Sequence, residues 1–167
     1  MLVDGYNVIH ASRVLSGIPE LDYARAALCD MLTDYAGYRD LELIIVFDAH
    51  LQPDAEHTER GAATVVYTGA GETADMFIER AVRSYFSGGR RVCVVTSDAL
   101  EQMMVLGYAS RMSSRELLID VERAKAEYTR HYINAIRPKE GTLESRLNDE
   151  HRNVFERLRR GKSGGGA

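Results

Sequence analysis

Four short apolar runs in this sequence each lead into acid. Leu2-Val3 runs into Asp4, Ile44–Phe47 into Asp48, and Val92–Val95 into Thr96, Ser97 and Asp98. Thr64–Tyr67 runs into a Gly69-Ala70-Gly71 turn followed by Glu72 and Asp75. Carboxylates brought together from separate segments oppose one another. At a separation of about 4 Å, two of them repel by about 1 kcal/mol in bulk water and about 4 kcal/mol at an effective dielectric near 20. Such a set disperses or takes up protons unless it is offset. The only lysines, Lys125, Lys139 and Lys162, are remote in sequence, so a divalent cation is the natural counterion. The five histidines, His10, His50, His57, His131 and His151, have no ligand spacing. Hard oxygen ligands alone select Mg²⁺ or Mn²⁺ over Zn²⁺. A carboxylate-bound Mg²⁺ generally works on phosphate oxygens, polarising the phosphorus centre and lowering the pKa of an attacking water. Singly, each acid reads equally well as the cap of a turn or helix. As a set, Asp4, Asp75 and Asp98 point to a site.

To place these acids on one edge, the chain needs a particular frame. Strands are expected at Leu2–Val3, Leu43–Phe47, Thr64–Tyr67, Val92–Thr96 and, more weakly, Tyr108–Met112. Segments of helical period lie between and after them, at Leu21–Tyr35, Glu72–Phe86, Ala99–Leu106 and Ser114–Ile136. The clearest is Glu72–Phe86, where Ala74, Phe77, Ile78, Ala81, Val82 and Tyr85 form one stripe. With that stripe buried, Asp75 falls at its margin and Glu72 farther toward solvent. Strand–helix alternation predicts βαβ units, and strands that are almost wholly apolar predict a sheet covered on both faces. The fold class is α/β, with a central, mostly parallel sheet of about five strands. In such sheets the functional crevice lies beyond the C-terminal strand ends, where the acids fall. Ala49–Ala62 is polar, contains Pro53 and has no period, so a mobile loop is expected there.

Composition limits the remaining possibilities. The 167 residues, 45% hydrophobic and 28% charged, suit one folded domain plus a tail. No apolar run approaches the roughly 20 residues of a membrane span, and Met1-Leu2-Val3 meets Asp4 without the basic start of a signal peptide. Cys29 and Cys93 sit in apolar settings and read as buried thiols in a reducing cytoplasm. The net charge of −4 is uneven: residues 1–136 carry −7 and residues 137–167 carry +3. A domain over 1–136 is therefore acidic, and bulk electrostatics alone would not hold nucleic acid on it. After Pro138 and Gly141 the tail can form a further helix over Leu143–Arg160, before a flexible Gly164–Gly166 end.

Other chemistries on this architecture lack their residues. The first strand exit has neither Asp-x-Asp nor Gly-x-Gly-x-x-Gly, and no lysine follows the last strands as a receiver domain needs. Gly161-Lys162-Ser163 mimics the end of a P-loop, but Glu156 stands where its first glycine belongs. What the sequence does resemble is carried by four motifs in order: Leu2-Val3-Asp4-Gly5-Tyr6-Asn7-Val8-Ile9, Val46-Phe47-Asp48-Ala49, Gly71-Glu72-Thr73-Ala74-Asp75 and Val95-Thr96-Ser97-Asp98. Together they resemble the NYN domain, a branch of the PIN-like nucleases, and within it the YacP-like family. The resemblance spans roughly residues 2–135, and the basic tail is also similar to that family's. Met1 stands almost on the first strand, which leaves open whether residues precede it.

The resemblance implies a three-layer PIN-like sandwich and a cytoplasmic, Mg²⁺- or Mn²⁺-dependent endoribonuclease leaving 5′-phosphate and 3′-hydroxyl ends. The family includes a ribosome-associated enzyme that cuts mRNA in the ribosomal A site, so mRNA and the ribosome are the expected partners. By motif position, Asp4, Asp75 and Asp98 are the catalytic, metal-binding acids, with Asp48 and Glu72 as supporting ligands. Asn7, Thr96 and Ser97 would orient a ligand, water or phosphate. Arg152, Arg157, Arg159 and Arg160 of the tail would attract RNA or ribosome phosphates, although a solvated helix docked on the core is an equal reading. Tyr6, Tyr67 and Tyr108 stand near strand exits, where rings either pack on the core or stack bases. The alternative in a different class is a non-catalytic RNA- or ribosome-binding module. A metal-dependent phosphatase or DNA nuclease would use the same acids. Oligomeric state is not written in these residues.

Overall fold

The computed structural model describes residues 1–48, 56–96, 107 and 109–136, with side chains as far as residue 133. The chain runs β1 (Leu2–Asp4), α1 (Gly5–Ala11), a 3₁₀ turn (Leu15–Gly17), α2 (Leu21–Arg39) and β2 (Leu43–Phe47). It continues through β3 (Glu56–Arg60), β4 (Ala63–Tyr67), α3 (Ala74–Ser87), β5 (Cys93–Val95), β6 (Ser110–Met112) and α4 (Ser114–Ile136). The strands form one six-stranded sheet in the order β3-β4-β2-β1-β5-β6. Every pairing is parallel except that of β3 with β4. The chain divides into two compact units, Met1–Tyr128 and Thr129–Ala167, and only the end of α4 is described in the second. The expected helices over Ala99–Leu106 and Leu143–Arg160 lie outside the described residues.

The apolar strands are explained by their two neighbours. Side chains alternate across a strand, so successive residues enter opposite layers. Val3, Ile45, Val65 and Val95 pack with Leu28 and Leu32 of α2 and Leu117 and Val121 of α4. Leu2, Val46, Val66 and Val94 pack against Phe77, Ile78 and Val82 of α3. Each fully buried side chain of this size stabilises the fold by about 1.5–3 kcal/mol. The α3 stripe read from the sequence is the buried face, with Ala81 and Tyr85 partly covered at its margin.

Three local features depart from the sequence expectations. First, the segment expected to be a loop contains the edge strand β3. Arg60 pairs with Ala63 across a tight Gly61-Ala62 turn, and Gly61 adopts φ +57°. All five β3 residues are exposed, so no burial pattern marks them in the sequence. Their charges suit a sheet edge that must not recruit another strand. Second, α1 follows β1 without a loop, because Asp4 ends the strand and caps the helix at once. Third, α3 begins at Ala74 rather than Glu72. The Thr73 hydroxyl accepts the Met76 N–H at 3.2 Å and so serves as the N-cap.

Candidate active site

Strand order reverses at β1. The chain lays β2 and β4 on one side of it, then crosses to place β5 on the other. In open parallel sheets, the crevice at such a reversal is where ligands bind. Asp4 stands at the end of β1 at this point, with Thr96 just beyond β5 and Asp48 just beyond β2.

Asp4 is a buried carboxylate, 7% exposed. Its Oδ1 accepts the Asn7 backbone N–H and its Oδ2 accepts from Asn7 Nδ2, both at 2.9 Å. Asn7 Nδ2 also donates to Thr96 Oγ1 at 3.3 Å, so one amide spans the reversal point and ties β1's exit to β5's. An ionised carboxylate offers about four lone-pair positions. Each oxygen of Asp4 therefore keeps accepting capacity beyond its bond to Asn7. Burial pushes the Asp4 carboxyl above the usual carboxylate range, and the Asn7 N–H acts the other way. The charges of Asp75 and Asp48 push it up further. Two of the acids expected at this edge thus act directly on Asp4.

The supporting acids have structural partners. Asp48 Oδ1 accepts the Ala74 N–H, fastening the β2 exit to the start of α3. Asp75, in the first turn of α3, is exposed. Glu72 precedes the helix and is more shielded than Asp75, reversing the expected order. Its Oε1 accepts from Arg80 Nη2 at 2.6 Å and Nε at 3.1 Å. That ion pair, with Arg80 mostly exposed, engages Glu72 through solvent-screened charge, and Glu72 stands before the helix that carries Asp75 rather than on it. Ser97, Asp98, Tyr108 and the tail residues Arg152, Arg157, Arg159 and Arg160 lie outside the described residues.

Among the described residues, no three His, Cys, Asp or Glu side chains stand together closely enough to hold a metal ion. The acids whose charges bear on this point, Asp4, Asp48 and Asp75, are all hard oxygen donors, and none forms a salt bridge with a described cation. That donor chemistry suits Mg²⁺ or Mn²⁺.

The sequence reading missed Arg25. It lies on α2, with its guanidinium 5.8 Å from the centre of the Tyr67 ring. Tyr67 stacks on Phe47 at 5.5 Å, and Phe47 meets Tyr6 edge-on at 5.3 Å. Both tyrosines pack partly against the core. No strand-exit motif contains Arg25, so only the packing of α2 against the sheet reveals its position.

A mixed, mostly parallel sheet between two helical layers, with acids at the β1 reversal, defines the three-layer PIN-like NYN fold. The family model for the YacP-like NYN domain matches residues 1–160, and the chain belongs to that family. It is 33% identical over 165 residues to "Uncharacterized protein YacP" of Bacillus subtilis (strain 168), covering 96% of each chain. The crystal structure of Rae1 (YacP) from Bacillus subtilis superposes with a TM-score of 0.68 at 33% identity, over 99% of this chain and 97% of that one. A single-substitution variant of Rae1 gives a TM-score of 0.69 at 32% identity, over 87% and 88%. Among the described residues, no helix is long and apolar enough to cross a membrane.

Proposed function

We propose that this chain is a metal-dependent endoribonuclease that hydrolyses RNA phosphodiester bonds, acting on mRNA in association with the ribosome in the cytoplasm. One observation carries the reading. A buried aspartate, oriented by Asn7, ends the central strand at the reversal point of the sheet, and Asp48 at the neighbouring strand exit accepts the Ala74 N–H that opens the helix bearing Asp75. A binding module gains nothing from concentrating repelling carboxylates where phosphates must approach. Membership of the YacP-like family supports the same conclusion.

In this reading Asp4, Asp75 and Asp98 hold one or two Mg²⁺ or Mn²⁺ ions, with Asp48 at the margin. Such ions supply Lewis-acid polarisation of the scissile phosphate and activation of water. The protein's own part is geometric. Asn7 fixes the Asp4 carboxylate, Asp48 fixes the start of α3, and α3 carries Asp75 to the edge. Glu72, engaged by Arg80, acts outside the metal shell. Residues 137–167 carry a net charge of +3, and their arginines draw RNA or ribosome phosphates to an otherwise acidic chain.

The test is cleavage of a defined mRNA, with and without ribosomes, in Mn²⁺ and in EDTA. Asp75→Asn should keep the fold and lose cleavage by at least a hundredfold, together with Mn²⁺ affinity measured by calorimetry. A fully active Asp75→Asn protein, or undiminished cleavage in EDTA, rejects this reading in favour of other chemistry. The non-catalytic alternative draws on the structural engagement of Asp48 and Glu72. It predicts RNA binding with no cleavage in Mn²⁺ at any enzyme concentration.

A further inference from the structure

The partners of Arg25 leave part of its guanidinium unanswered. The residue follows the first turn of α2, near the helix end where the dipole disfavours a cation. Among the described residues its carboxylate partner is Asp22, which is 86% exposed and so binds it through solvent-screened charge. Its Nε is buried without a hydrogen-bond partner, the one such side-chain atom among the described residues. The fold therefore does not saturate this guanidinium, although the buried Nε itself is out of a ligand's reach.

The surroundings of Arg25 place its guanidinium beside the acidic edge. Tyr67 and Phe47 are the last residues of β4 and β2, and Tyr6 follows Asp4 by two. The ring row Tyr6–Phe47–Tyr67 therefore runs along the edge that bears Asp4 and Asp48, and Arg25 closes it over Tyr67. Tyr6 lies within electrostatic reach of Arg25 as well as of Asp48, Asp22 and Asp4. A polyanion reaching this acidic edge needs a cation from the protein beside the site. A guanidinium steadied on an aromatic face presents a planar fork that matches phosphate oxygens.

We propose that Arg25, seated on Tyr67, is a phosphate-binding residue for the RNA strand, gripping a phosphodiester beside the one that Asp4 and Asp75 act on. The inference rests on the nuclease reading of this edge. Asp22 occupies the guanidinium in the free protein, and the RNA phosphate takes its place.

Binding of a fluorescein-labelled single-stranded RNA of defined sequence to the full chain, measured by anisotropy in EDTA across a salt series, tests this. Arg25→Ala should weaken binding about tenfold at low salt, as expected for one lost hydrogen bond to a charged group. It should also reduce the slope of log affinity against log salt by about 0.7, the value for one phosphate contact on a single strand. Arg25→Lys should keep the slope and lose part of the affinity. Asp22→Asn should tighten binding in the parent but not in the Arg25→Ala background, which separates freeing the guanidinium from the general loss of a negative charge. Circular dichroism and melting curves establish that the variants are folded. An Arg25→Ala protein with the parent's affinity and slope overturns the proposal, as does an Asp22→Asn protein that binds more weakly than the parent. Mn²⁺-dependent cleavage by Asp75→Asn separates the two claims, because full activity there removes the nuclease reading whatever Arg25 does.

Discussion

A β-carbon built on Gly5 would fall 2.2 Å from Cε1 of Phe47 and within 2.7 Å of two further atoms of that ring. Phe47 is fully buried and held between Tyr6 and Tyr67, so it has nowhere to retreat. The glycine after Asp4 is therefore needed for close approach rather than for an unusual backbone angle. It lets α1 begin directly on the core, which puts Asn7 under the Asp4 carboxylate. Gly5→Ala should destabilise the fold by about 1–3 kcal/mol through overpacking, lowering the melting temperature by several degrees. Cleavage should fall in parallel, because the Asp4–Asn7 geometry depends on the same approach. Calorimetric melts and cleavage rates of the variant check both outcomes.

Between elements, α2 and α4 are joined by a polar cluster beside their apolar contact. Tyr35 Oη donates to Asp120 Oδ2 at 2.8 Å, and Arg39 bonds Asp120 at 2.8 Å and Glu127 at 3.0 Å. Tyr35 is buried, and burial with the Asp120 hydrogen bond and charge pushes its hydroxyl up to about 12 from an ordinary value of 10.0. The folded state thus favours the neutral phenol. This contribution is complete below pH about 10 and is lost as pH rises through the folded value, amounting to roughly 3 kcal/mol. Burial raises Asp120, but the Tyr35 and Arg39 hydrogen bonds outweigh it and leave the carboxyl below its usual range. Tyr35→Phe should cost about 1 kcal/mol at pH 7 by removing the donor. It should also abolish the extra loss between pH 10 and 12. Urea unfolding at pH 7, 9 and 11 distinguishes the variant from its parent.

Across the whole molecule, charge is divided: −7 over residues 1–136 and +3 over 137–167. If the arginines of this basic segment draw phosphates, removing residues 142–167 should weaken RNA and ribosome association and flatten its salt dependence. Basal cleavage at high enzyme concentration should remain. Ribosome co-sedimentation and an RNA-binding salt series on the truncated chain measure this. An unchanged affinity and slope would assign the tail to packing instead. The same division explains why Arg25 matters in an acidic domain, where a local cation must do what bulk charge does not.

Much of this was legible in the order of residues. Apolar runs such as Leu43–Phe47, helical stripes such as that of α3, and acids at the strand exits follow from periods that a linear string displays directly. They were enough for a mostly parallel α/β sheet and for the acidic edge proposed as the site. Strand β3 was hidden because all five of its residues face solvent, so its identity comes from pairing with β4 and not from its own pattern. The start of α3 moved past Glu72 because the Thr73 hydroxyl is the cap, and Glu72 then met Arg80 eight residues on, a partner its local sequence does not reveal. Asn7's bridge to Thr96 and the seat of Arg25 on Tyr67 join residues far apart along the chain. Periodicity and spacing are properties of neighbours in sequence, so they settled the elements and the acidic edge. Which side chains share a charge, a hydrogen bond or a ring face across strands depends on packing in three dimensions, and only the tertiary structure decided it.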